Sequence, residues 1–183
     1  MKRVISLLLL AVAIAGCKDK EKGDQVPVAV RLHQAVRTGD FSLVQSLIAH
    51  GCDVDARDKD GCTPLFMAAA YGNIVLIEFL IGKSADVNAR NLNDGTALHA
   101  AAGSGQAGAV KLLIDAGADV NAGSDQADTP LYAAGCMLAD QGHEDVVRLL
   151  LANGAKIIPG DSRANGHLLY FAVERGMHDL IEN

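Results

Sequence analysis

Gly61-Cys62-Thr63-Pro64-Leu65-Phe66-Met67-Ala68-Ala69-Ala70-Tyr71-Gly72-Asn73 is the stretch that decides how this chain folds, because its pattern recurs. Thr63, Thr96 and Thr129 stand 33 residues apart, and so do Gly39, Gly72 and Gly105. The neighbours repeat with them, as Thr63-Pro64-Leu65, Thr96-Ala97-Leu98-His99 and Thr129-Pro130-Leu131. Downstream, Ala85-Asp86-Val87-Asn88-Ala89 is answered by Ala118-Asp119-Val120-Asn121-Ala122. A unit this short buries its apolar face only against its neighbours, so the period predicts a solenoid.

One unit can be read residue by residue. Gly61 suits the tip of a tight turn, because it adopts positive φ without a steric penalty. Thr63 is placed to cap a helix whose first position is Pro64, where a missing N–H matters little. Leu65, Ala68 and Ala69 give that helix a small-residue face. Gly72 interrupts it, and Ile74, Ile77, Leu80 and Ile81 then recur at helical spacing. Ser84 stands where the other units have Gly51, Gly117 and Gly154, the favoured residue after a helix end. An extended Asp86 to Ala89 returns the chain to the next turn. The expected class is all-α: a solenoid of turn, short helix, short turn, longer helix and extended return.

These residues resemble the ankyrin repeat, with its Thr-Pro-Leu-His start, its Gly-His break and its Gly-Ala-Asp-Val-Asn-Ala return. Here the break reads Gly39-Asp40, Gly72-Asn73, Gly105-Gln106 and Gly142-His143. The resemblance implies helix–turn–helix units joined by β-hairpin-like turns, over residues 29–183. The units run about 29–61, 62–94, 95–127 and 128–165, with a truncated cap at 166–183. Unit one opens on Val30-Arg31-Leu32, and unit four carries four extra residues between Thr129 and Gly142.

Residues 1–16 are a different text. Lys2 and Arg3 precede the run Val4 to Ile14, apolar except for Ser6 and too short for a comfortable membrane span, which is the layout of a signal peptide over residues 1–16, removed on maturation. Ile14-Ala15-Gly16-Cys17 resembles the bacterial lipobox, which implies a lipid-modified Cys17 and a tether at residues 17–28. Two or more acyl chains would anchor such a protein firmly. Lys18 in place of Asp implies the outer membrane, with the repeats facing the periplasm.

Composition narrows the rest. Loss of Lys2 and Arg3 would leave 14 basic against 22 acidic residues, a net charge of −8. No basic stripe for nucleic acid is expected, and an anionic membrane would repel the body, leaving membrane attachment to the lipid. Aromatics make up 4% of the chain, so anchors of the kind that dominate interfaces are scarce.

Apparent chemistry dissolves into the repeat. Gly103-Ser104-Gly105-Gln106-Ala107-Gly108 matches GxGxxG, yet a helix precedes it instead of the strand that a dinucleotide site needs. A calcium loop through Asp53, Asp55, Asp58 and Asp60 fails, because Ala56 and Met67 fall where carboxylates are required. His99 and His143 occupy repeat positions at which imidazole usually bonds backbone. His33, His50, His167 and His178 lack zinc-site spacing. No serine has a nucleophile-elbow context. The expectation is a non-enzyme without metal or cofactor. A Cys52–Cys62 disulfide would need Cα atoms within about 7 Å, and an odd thiol would remain beside it.

In ankyrin arrays partners meet the turn tips and the exposed side of the inner helices. Carried onto this chain, those positions are Arg57, Lys59, Asp60, Met67 and Tyr71 in unit two. Unit three contributes Arg90, Leu92, Asn93 and Ser104, and unit four Asp125, Gln126 and Asp128. Met137 and Leu138, in the unit-four insertion, either project beside the groove or extend the inner helix. The resemblance implies an envelope or periplasmic protein partner. Exported bacterial ankyrin proteins are linked to oxidative-stress protection beside catalases, and others to immunity against secreted toxins. A passive spacer and a cryptic hydrolase are the other classes that the residues leave open.

Overall fold

The computed structural model describes residues 26–123, 129–136 and 143–156. Among them are eight helices and no strand, in four antiparallel pairs: α1 (Val28–Thr38) with α2 (Phe41–Ala49), and α3 (Pro64–Ala70) with α4 (Ile74–Gly82). α5 (Ala97–Gly103) then pairs with α6 (Ala107–Asp115), and α7 (Pro130–Cys136) with α8 (Glu144–Ala152). The inner helices α1, α3, α5 and α7 stack on one another, and each outer helix packs behind its own inner one. No described helix is long and apolar enough to cross a membrane. The first helix begins at Val28, inside the stretch read as tether.

Helix starts follow the sequence. Thr63 accepts at Oγ1 from the Phe66 N–H at 3.2 Å, and Thr129 accepts likewise from Tyr132. At Thr96 the backbone N–H donates to Nδ1 of His99 at 3.1 Å, and the Thr96 hydroxyl lies 2.9 Å from the same nitrogen. Such caps satisfy N–H groups that the helix itself leaves unpaired. The outer helices are capped by the residue after the break glycine: Asp40 accepts from Leu43 and Asn73 from Leu76.

The period reappears as a stack of leucines. Leu32, Leu65, Leu98 and Leu131, 33 residues apart, are each 0–1% exposed. Ala68, Ala69, Ala101 and Ala102 are fully buried, and these small side chains let the inner helices approach closely. On the outer layer the buried stripe of α4 is Leu76, Ile77 and Leu80. This corrects the stripe read from spacing: Ile74 is 37% exposed, and Ile81 is only partly buried against the core. The whole run Ile74 to Ile77 is apolar, so periodicity alone left the phase of the helix ambiguous.

The break glycines do two jobs. Gly72 and Gly105 have φ of 65° and 68°, the left-handed region that other residues enter at a cost. Each also lies under the break residue of the next unit. A Cβ on Gly72 would run into Oε1 of Gln106, and one on Gly105 would fall 2.8 Å from Nε2 of His143. The glycine therefore ends its own helix and makes room for the following repeat.

Candidate functional site

The turn tips are built by side chains that fold back on the backbone. Oδ1 of Asp58 accepts from the N–H groups of Asp60 at 2.9 Å and Cys62 at 2.8 Å, while the Asp58 N–H donates to the Cys62 carbonyl. One period on, Oδ1 of Asn91 accepts from Asn93 and Gly95, and the Asn91 N–H donates to the Gly95 carbonyl. These are the hairpin-like turns expected from the repeat. Each pushes two residues outward: Lys59 and Asp60 at the first tip, Leu92 and Asn93 at the second, all exposed. Leu92 is 75% exposed, the most exposed of the large apolar side chains described.

Neighbouring tips are stitched together. The Leu92 N–H donates to the Asp60 carbonyl at 3.1 Å. The Arg57 guanidinium donates to the Gly61 carbonyl at 3.1 Å and also to the Arg90 carbonyl. Arg57 is thus a strut between tips as well as an exposed charge. Arg90 reaches Asp94 at 3.9 Å, a contact that solvent weakens.

On the inner helices the candidates separate. Tyr71 is 54% exposed at the end of α3. Met67 is partly buried and packs against the core, so much of its surface is spent on the fold. Ser104 occupies the position of Tyr71 in the next unit and is exposed. The structure therefore groups Arg57, Lys59, Asp60, Arg90, Leu92 and Asn93 along the tips, with Met67, Tyr71 and Ser104 on the inner helices. Asp125, Gln126, Asp128, Met137, Leu138, the cap at 166–183 and Cys17 all lie outside the described residues.

Some surface was missed from sequence. Ile74 and Val75, 37% and 57% exposed, open α4 beyond the Gly72-Asn73 break and add apolar surface there. Their equivalents one period later are Ala107 and Gly108, so the repeat does not keep a large apolar side chain at either position.

Residues singled out for chemistry have structural partners. Asp53, Asp86 and Asp119 each accept the N–H two residues on, as short turns that hold the return. His33, one of the histidines without an assigned role, sets Nδ1 2.7 Å from the Ala29 carbonyl and Nε2 2.9 Å from the Cys62 carbonyl. It occupies the unit-one position that His99 fills in unit three. His143 departs from expectation. It is 7% exposed over Gly105, and neither ring nitrogen finds a hydrogen-bond partner among the described residues. The helix start at α8 places the ring against the preceding unit and away from its own backbone N–H groups.

Cys52 and Cys62 are not joined by a disulfide. Burial pushes the Cys62 thiol up, and the Asp58 and Asp60 carboxylates add to this against the Asn91 amide, so little reactive thiolate forms there. Among the described residues no group of three or more His, Cys, Asp or Glu side chains is arranged to hold a metal ion.

The family model described as ankyrin repeats (3 copies) matches residues 32–124 and again 76–161, well over half of the chain. The chain belongs to the ankyrin repeat family. No curated protein matched it. Ankyrin repeat proteins are generally non-catalytic binding modules, and the array described above is a protein–protein interaction module. In this member Asp58 and Asn91 bond the tip backbone from within, so what the tips present to a partner is already ordered.

Proposed function

We propose that this ankyrin protein is a lipid-anchored binding module of the bacterial envelope that holds a periplasmic protein partner along its concave face. The carrying observation is the ordered tip row with Leu92 exposed in it, together with Tyr71 exposed at the far end of α3. A large apolar side chain held outward on a preformed turn loses little entropy on binding. Anchorage is supported by the basic start, the apolar run and Cys17 after Ile14-Ala15-Gly16. A role in oxidative-stress protection fits this reading, and toxin immunity is its alternative.

The test is capture of partners from envelope extracts by the native protein and by a Leu92→Ala/Tyr71→Ala double variant. A specific protein held by the first and released by the second supports the assignment. Equal recovery by both overturns it. Cys17→Ala tests the anchor separately: it should release the protein from membranes or block its processing, and unchanged membrane retention would refute the lipid.

A further inference from the structure

The repeats are joined by a second ladder, on the return segments. Asn88 accepts at Oδ1 from the Asp119 N–H at 2.9 Å and donates from Nδ2 to the Gly117 carbonyl at 3.2 Å. Asn121 repeats the pair, accepting from Lys156 at 2.8 Å and donating to Gly154 at 3.0 Å. One period earlier the position is Asp55. Both of its oxygens lie 3.1 Å from the Asp86 N–H, the equivalent of the Asp119 donor. A carboxylate has no hydrogen to give, so the carbonyl equivalent to those of Gly117 and Gly154, that of Ser84, receives no bond from Asp55.

The same seam is unusual on its other side. Gly51, Gly117 and Gly154 have φ of 85–89° at this point, whereas Ser84 holds φ 63° with a side chain attached. The joint between the first and second repeats thus lacks both the donor and the unstrained acceptor found at the next two joints.

We propose that this joint tightens in acid: protonation turns Asp55 into the donor that Asn88 and Asn121 already carry, closing a hydrogen bond to the Ser84 carbonyl. The groups around Asp55 favour proton uptake. Burial comes first in raising its pKa, and the Asp53 and Asp86 carboxylates add to it, against the Asp86 N–H and the Arg57 guanidinium. A carboxyl whose folded pKa lies above its unfolded one binds a proton on folding. Its contribution to stability is therefore greatest at low pH and is lost as pH rises through the raised value. At neutral pH the first repeat is held by one bond fewer, and α1 and α2 open more readily from the array.

Hydrogen exchange of α1 and α2 amides in the intact protein, corrected for intrinsic rates, tests this against Asp55→Asn. His33 bonds across the same seam, so the Asp55 contribution is the difference between the two proteins at each pH. At pH 7 the variant should open about five- to tenfold less than the native protein, the effect of one added hydrogen bond. That gap should close as the pH falls toward about 4. Equal or greater opening of the variant at pH 7, or a gap that ignores pH, overturns the proposal. Asp55→Ala separates donor from charge: a gain at pH 7 equal to that of Asn would show that the Ser84 bond is not the cause.

Discussion

His143 stands over Gly105 so closely that a Cβ on the glycine would lie 2.8 Å from Nε2 of the ring. One residue's lack of a side chain is thus the seat of another's imidazole, across a joint between repeats. At the equivalent pair, Gln106 over Gly72, a Cβ would come closer still, but against the far end of a flexible amide.

The two glycines should therefore respond differently to alanine. Both substitutions strain a left-handed backbone, by about 1 kcal/mol. At Gly72 the Gln106 amide can swing into solvent. At Gly105 the buried imidazole cannot leave without disturbing α8, so Gly105→Ala should lose about 2–3 kcal/mol in all. Urea denaturation of the two variants side by side checks the order.

Ser84→Gly should act in the opposite sense. The native serine holds φ 63° where three other units use glycine. Relief of that strain should raise stability by about 0.5–1 kcal/mol, read as a higher midpoint of thermal unfolding.

Asn88→Asp would copy the first joint into the second. It should destabilise the array by about 1–2 kcal/mol at pH 7 through loss of the bond to the Gly117 carbonyl. The sign with pH follows from the neighbours: a carboxyl placed there beside Asp86 and Asp119 would take up a proton on folding, so the deficit should shrink as pH falls. Denaturation midpoints of native and variant proteins at several pH values would show it.

Leu98 lies at the centre of the leucine stack, fully buried between α3 and α7. Leu98→Ala should cost about 2–5 kcal/mol from lost burial and the cavity left behind. In an array joined only through nearest neighbours, a weakened centre also separates the halves. Residue-resolved hydrogen exchange should then show units one and two opening independently of unit four.

Much of this architecture was legible before any coordinates. Thr63 with Pro64 marked a helix start, Gly72 a helix end, and Leu65 with Ala68 and Ala69 a packing face, because caps and small residues recur with the period. The phase of α4 was not legible, since four apolar residues in succession fit several helix rotations. Packing against α3 and α6 chose Leu76, Ile77 and Leu80 for the core and left Ile74 and Val75 outside. The tip candidates were legible as exposed residues. That Arg57 is also a strut, and that Met67 serves the core, were not.

The sequence by itself determined the repeat, the helices within it and the family, because each is a matter of short-range spacing that every unit restates. Only the tertiary structure decided how the units hold one another. Arg57 to the Arg90 carbonyl, Asp55 to the Asp86 N–H, His33 to the Cys62 carbonyl and His143 over Gly105 all join residues 29–38 positions apart. Such pairings depend on the rise and rotation from one unit to the next and on side-chain rotamers. Neither is written in the composition of a single unit, so a change as small as Asp for Asn at one joint acquires its meaning only when the repeats are stacked.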